Sequence, residues 1–131
     1  MITLDTSGVL ALANDRDRHH IAARDAISGS RCLVASALIL GEIGYVVAAR
    51  GGKGSLLRFL QGFEEGSVLL DCGDTDLPRI RELMTRFADL ALGFSDAAVI
   101  ACAERNGGSV LTFDRADLEV VAGDVPIDLL P

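Results

Sequence analysis

The chain has no tryptophan, one tyrosine and a single lysine, Lys53, in 131 residues. With so few aromatic residues the interior must be aliphatic, built from Leu, Val, Ile and Ala. Cysteine is also scarce: Cys32, Cys72 and Cys102 are odd in number and lack metal-ligand spacing. That excludes a disulfide scaffold, and all three read as small core or near-core residues in a reduced compartment. No apolar stretch reaches the roughly 18 residues needed to span a bilayer. The N-terminus lacks the basic-then-apolar pattern of a secretory signal. The expectation is a cytoplasmic protein without a membrane partner. Internal repeats, low-complexity tracts and linkers are missing too, so residues 1–131 are expected to form one domain, in keeping with their length.

What is present describes a folded protein. Half of the residues are hydrophobic and 24% are charged, which excludes disorder. A chain of this size buries roughly 70% of its unfolded surface, enough for a core without staples. The net charge of −7 predicts weak attraction to nucleic acid, whose affinity for proteins comes mainly from Lys and Arg. That inference softens if several carboxylates are clustered and neutralised by a metal, because four fewer charges leave about −3. Eleven of the twelve basic residues are arginine, a bias compatible with bidentate phosphate contacts but produced equally by genomic base composition.

Short apolar runs of strand length recur at 2–4, 32–34, 68–70 and 110–113. They do not alternate polar with apolar, so they suit strands buried on both faces of a parallel sheet. Helical patterns lie between them: from Val9 to Ala13, from Ile21 to Ile27, from Leu38 to Val47 and from Leu56 to Phe63. Leu77, Ile80, Leu83, Met84 and Phe87 repeat at three and four, and Asp96 to Arg105 is closed by Asn106-Gly107-Gly108. The spacing predicts an α/β fold, a three-layer α/β/α sandwich around a mainly parallel sheet.

Four acids stand out against this pattern. Asp5 ends the stretch Met1-Ile2-Thr3-Leu4 and Asp114 ends Val110-Leu111-Thr112-Phe113, which puts both at the carboxyl ends of strands, where ligands bind in such sheets. Glu42 interrupts an apolar run and, with Leu38 and Val46 four residues to either side, reads as lying along an apolar stripe. Asp96 follows Ser95, a plausible N-cap, and falls in a helical first turn. Singly each has an ordinary explanation as a turn residue, a boundary residue or a helix-terminal acid. Together they would repel one another and raise their pKa values unless a hard divalent cation relieved the cost. Mg²⁺, or Mn²⁺, takes oxygen ligands and keeps several waters, so a few carboxylates suffice. An all-oxygen set without histidine or thiolate points to phosphodiester chemistry rather than zinc hydrolysis.

Two other motifs fail on inspection. Gly51-Gly52-Lys53-Gly54-Ser55 lacks the first glycine of a phosphate loop, where Val47 stands, and reads as a turn between helices. Gly93-Phe94-Ser95-Asp96-Ala97 is not a nucleophile elbow, because both histidines precede the serine instead of following it.

The ordered set Ile2-Thr3-Leu4-Asp5-Thr6-Ser7, Leu40-Gly41-Glu42-Ile43, Phe87-Ala88-Asp89-Leu90 through Gly93-Phe94-Ser95-Asp96-Ala97, and Leu111-Thr112-Phe113-Asp114-Arg115-Ala116-Asp117-Leu118 covers almost the whole length. In these residues the chain resembles PIN-domain ribonucleases, specifically VapC-type toxins of type II toxin–antitoxin pairs. The resemblance implies a Mg²⁺-dependent ribonuclease in which Asp5, Glu42, Asp96 and Asp114 form a metal-binding pocket, Asp5 and Asp96 most directly. Ser7 would support Asp5, Asp117 would be a peripheral acid, and Asp89 matches a recurrent position whose role could be structural. Phe113 departs from the small or aliphatic residue common there, which bears on packing. Also implied are an RNA substrate, a cognate antitoxin and a homodimer. The basic segment Arg16, Arg18, His19, His20 and Arg24 reads as a solvated helix face, with the alternative that Arg16 and Arg18 contact the RNA backbone. Two competing readings are a receiver-like signalling domain and a non-catalytic RNA- or partner-binding PIN-like domain. A receiver needs paired acids after the first strand and a lysine near the end of a late one, whereas this chain offers only Asp5 at the first place and no lysine after Lys53.

Overall fold

The computed structural model describes residues 1–30 and 32–131. Its first half runs β1 (Ile2–Leu4), α1 (Thr6–Ala13), α2 (His20–Ile27), β2 (Leu33–Ser36), α3 (Leu40–Glu65) and β3 (Val68–Asp71). The second half runs α4 (Leu77–Arg86), α5 (Phe94–Arg105), β4 (Ser109–Leu111), α6 (Ala116–Ala122) and β5 (Asp128–Leu130). The strands form one sheet in the order β3-β2-β1-β4-β5, and every pairing is parallel. Helices cover both sides, with α1 packed on α3 and α4 packed on α5.

The central strands are buried, whereas the edge strand β3 leaves Leu69 and Leu70 exposed, against the expectation of burial on both faces there. Leu4, Val34, Ala35, Val110 and Leu111 are almost wholly shielded, and α5 is buried along Ala97–Ala103, which explains its unpatterned apolar sequence. Phe59 and Phe87 add the aromatic share of an otherwise aliphatic core. Gly8 permits the closest approach of α1 to the sheet: a Cβ there would stand 2.4 Å from the Leu111 carbonyl oxygen.

Topology determines where a ligand can go. From β1 the chain moves outward through β2 to the edge strand β3, then returns to place β4 on the other side of β1. The loops leaving β1 and β4 therefore diverge, and the crevice outside their carboxyl ends is the switch point of the sheet. Asp5 directly follows β1, and Thr112, Phe113 and Asp114 follow β4.

The break expected among the 51–55 glycines is present: α3 is two helical segments meeting at Gly52, whose φ of 83° is non-helical. Other local expectations are corrected. β5 and α6 were not anticipated. The N-cap of α5 is Gly93 rather than Ser95, so the helix begins at Phe94, although Asp96 remains in the first turn. Cys102 is buried and Cys32 partly so, but Cys72 is exposed. Among the described residues no helix is long and apolar enough to cross a membrane.

Candidate active site

A cleft of about 750 Å³ opens at the switch point. Its lining brings together Asp5, Ser7, Glu42, Asp96 and Asp114, drawn from β1–α1, α3, α5 and the β4–α6 loop. Arg18, His19, Arg50, Phe94 and Phe113 complete much of the wall.

Asp5 forms the floor, with only 7% of its surface exposed. Thr112 donates its hydroxyl to Asp5 Oδ2 at 2.8 Å, and Ser7 donates to the same oxygen at 3.2 Å. The Thr112 hydroxyl also accepts the Asp114 backbone N–H at 3.2 Å, so one buried side chain ties the two strand-end acids together. Burial pushes the Asp5 carboxyl above its ordinary value; the Thr112, Thr6 and Ser7 hydrogen bonds oppose this and the Asp114 charge adds to it.

Asp96 enters from the first turn of α5. Burial, then the charges of Asp5 and Asp114, push its carboxyl up to about 6, despite a hydrogen bond from the Gly93 backbone. Asp5, Asp96 and Asp114 line one cleft, close enough for the like charges of Asp5 and Asp114 to act on the Asp96 carboxyl. Asp117 contributes to the same shift without lining the cleft.

Glu42 sits on the exposed wall and accepts the Thr6 hydroxyl at 2.9 Å. The apolar-stripe expectation is corrected here: Leu38 lies in the 3₁₀ turn 37–39 before α3, and the buried face is set by Ile43 and Val47. Glu42, Val46 and Arg50, spaced by four, instead present one helical face to the cleft.

Among the described residues, none of Asp5, Glu42, Asp96 and Asp114 is in an ion pair. Nor do any three His, Cys, Asp or Glu side chains there close into a finished metal-holding group. The acids ring the cleft, as mutually repelling carboxylates do. Their chemistry nevertheless fits a hard cation: the donors are all oxygen, Asp5 is oriented by two hydroxyls, and Mg²⁺ retains water in place of further protein ligands.

A family model described as PIN domain matches residues 2–124. The chain belongs to the PIN-domain family. Ribonuclease VapC26 of Mycobacterium tuberculosis is 31% identical over 115 residues, spanning 86% of this chain and 85% of that protein. The crystal structure of Mycobacterium tuberculosis VapC20, described as a Sarcin-Ricin loop cleaving toxin, matches over 100% of both chains with a TM-score of 0.80. Its sequence identity is 24%, so that likeness speaks to the fold. Both relatives are VapC proteins, and this PIN domain is of the VapC type. The family match displaces the receiver reading.

Within this PIN domain, Arg16 is exposed and does not line the cleft, whereas Arg18 does. Asp89 is exposed in the 3₁₀ turn 88–90 and lies outside the cleft lining. The solvated-face reading of His19 is corrected: its ring stacks on Phe113, with centroids 4.4 Å apart and planes inclined by 13°. His20 instead places Nδ1 2.7 Å from the Ala11 carbonyl oxygen. Thr112, Thr6, Arg50 and Phe94 were not anticipated. A threonine held between an apolar run and Asp114 was the available signal for Thr112. For Arg50 it was the i, i+4, i+8 relation with Glu42.

Proposed function

We propose that this PIN domain is a divalent-cation-dependent ribonuclease, the toxin of a toxin–antitoxin pair, cleaving RNA phosphodiester bonds by hydrolysis in the cleft at the switch point. The ribonuclease and toxin names of its VapC relatives support the class of activity. The observation that carries it is the convergence of Asp5, Glu42, Asp96 and Asp114 on one cleft, with no ion pair at the cluster among the described residues. Such an arrangement is costly for folding and suits a site whose charge is completed by a cation.

Asp5 and Asp96 would hold Mg²⁺ or Mn²⁺ most directly, with Asp114 and Glu42 completing the site or positioning water. When bound, the ion supplies a more acidic water and offsets charge on the phosphodiester. The chain supplies orientation: Thr112 and Ser7 fix Asp5, while Thr6 fixes Glu42. Arg18 and Arg50 add positive charge to an otherwise acidic lining, where a polyanionic strand needs it.

The same acids suit an arginine-bearing antitoxin segment, which would block the cleft by pairing with them. The homodimer finds support in the exposed apolar residues Leu77, Met84 and Phe94 along a groove of about 370 Å³ beside α4. The reduced cysteines and RNA substrate suit action in the cytoplasm.

Replacing Asp5 or Asp96 by Ala is expected to abolish cleavage of RNA while leaving circular dichroism unchanged, and chelation to do so reversibly. Full metal-dependent cleavage after loss of both aspartates would exclude this site. Metal binding without any cleavage would favour a non-catalytic PIN domain.

A further inference from the structure

We propose that His19 and Phe113 are positioning residues that hold the Arg18 guanidinium at the cleft as a clamp for a substrate phosphate. The inference rests on the ribonuclease reading and assigns work to two rings that the acidic cluster does not explain.

The chain of contacts begins at the cleft floor. Ser7, which donates to Asp5 Oδ2, also accepts the Phe113 backbone N–H at 2.9 Å. Phe113 is thereby anchored by the same hydroxyl that orients Asp5. Its ring carries the stacked His19 ring. His19 Nε2 then accepts Arg18 Nε at 3.1 Å. An accepting Nε2 belongs to the neutral imidazole with its proton on Nδ1.

The segment bearing these residues is pinned. The His19 backbone N–H donates to Asp17 Oδ1 at 2.8 Å, and the neighbouring His20 ring meets the Ala11 carbonyl. Arg18 itself is in no ion pair among the described residues, although it shares a cleft with Asp5, Asp96 and Asp114. An unrestrained arginine there would gain by swinging onto a carboxylate, neutralising an acid that the cation needs. Tethering through Nε opposes that collapse and leaves the terminal nitrogens, the fork that matches a phosphate, for the substrate.

The test uses the full-length chain, a fluorescein-labelled single-stranded RNA of mixed sequence, and anisotropy measured in chelator so that no cleavage intervenes. Arg18→Ala is expected to weaken binding about tenfold, the scale of one charge-assisted hydrogen bond. It should also lower the slope of log affinity against log salt by about 0.7, one phosphate contact on a single strand. His19→Phe keeps a ring to stack but removes the acceptor, and Phe113→Ala removes the platform. Each should weaken binding alone and add nothing when combined with Arg18→Ala. Phe113→Tyr should retain wild-type affinity. With Mg²⁺ present, the losses should appear in KM more than in kcat.

Losses that add fully to that of Arg18→Ala would overturn the proposal, since the rings would then be touching RNA themselves. Wild-type binding by His19→Phe would overturn it as well. Either result can occur in a protein that still cleaves RNA, leaving the ribonuclease reading intact. A wild-type chain that neither binds nor cleaves the RNA would sink both.

Discussion

Replacing Asp96 by Asn should make the metal-free protein more stable while destroying its activity. Asp96 is partly buried in the first turn of α5 and faces Asp5 and Asp114, which with burial lift its carboxyl from an ordinary 3.8 to about 6. A carboxyl so displaced costs the folded state up to about 3 kcal/mol at neutral pH. Partial contact with solvent reduces that to about 1–2 kcal/mol. Asparagine keeps the shape and the polar atoms and removes the charge. For a chain of this length the gain corresponds to a rise in Tm of about 3–6 °C.

The sign with pH follows from the direction of the shift. The folded-state value lies above the unfolded one, so the folded chain holds this proton more tightly. The stabilisation from protonated Asp96 is complete below the unfolded value and is lost as pH rises through about 6. The advantage of Asp96→Asn is therefore largest above pH 7 and nearly gone at about pH 4. Thermal melts of both proteins in chelator at those two acidities measure it directly. Adding Mg²⁺ or Mn²⁺ near neutral pH should then raise the Tm of the wild type, by mass action on the folded state, and leave the variant nearly unmoved. A variant less stable than wild type at neutral pH, or one whose advantage is equally large in acid, would refute the idea that mutual repulsion and burial strain this site.

Three further outcomes can be checked together. Thr112→Val removes the buried donor to Asp5 at nearly constant shape; cleavage should fall about 10- to 100-fold, and Thr112→Ser should recover much of it, as steady-state kinetics would show. Gly8→Ala places a Cβ against the Leu111 carbonyl, so urea unfolding should report a loss of about 2–3 kcal/mol. Arg105→Gln removes the partner of Asp71, at 2.8 and 3.0 Å, and of Asp76, which is only 3% exposed. Urea unfolding should show a loss of about 2–3 kcal/mol, less than for a fully buried pair because the arginine is itself partly exposed, with cleavage per folded molecule unchanged.

Strand positions were legible wherever an unbroken apolar run marked them: Ile2–Leu4 is buried throughout, whereas Val68–Asp71 carries such a run although Leu69 and Leu70 are exposed at the sheet edge. β5 was not, because Asp128-Leu129-Leu130 is three residues long and exists through its pairing with Ser109–Leu111, a partner that local pattern does not reveal. α6 was missed because its seven residues carry only Leu118 and Val121 into the core. Glu42 was placed in the right neighbourhood by the wrong geometry: the helical net was extended back through Leu38, which belongs to a tighter turn with a different phase. Asp5 and Asp114 were the most legible of the candidate site residues, since strand ends in a parallel sheet are determined by the same apolar runs that reveal the strands. Thr112 and the His19–Phe113 stack depend on contacts spanning about a hundred residues of sequence, which no local spacing encodes.

The treatment of acids elsewhere in the molecule sharpens the contrast at the cleft. Where an acid lies near the interior for structural reasons, an arginine meets it: Arg105 holds Asp71 and Asp76, and Arg79 holds Glu104 through both carboxylate oxygens. The chain is thus rich enough in arginine to neutralise partly buried carboxylates, and does so at the other end of α5. At the switch point the same remedy is within reach, since Arg18 and Arg50 line the cleft. Yet Asp5 is met by hydroxyls and Asp96 by a backbone donor, neither they nor Asp114 is met by an arginine among the described residues, and Arg18 is turned onto a histidine. A fold under selection for stability alone would pair these groups or replace them with apolar residues of similar volume. Their uncompensated charge, sustained at the switch point of the sheet, is the cost that the proposed cation would relieve.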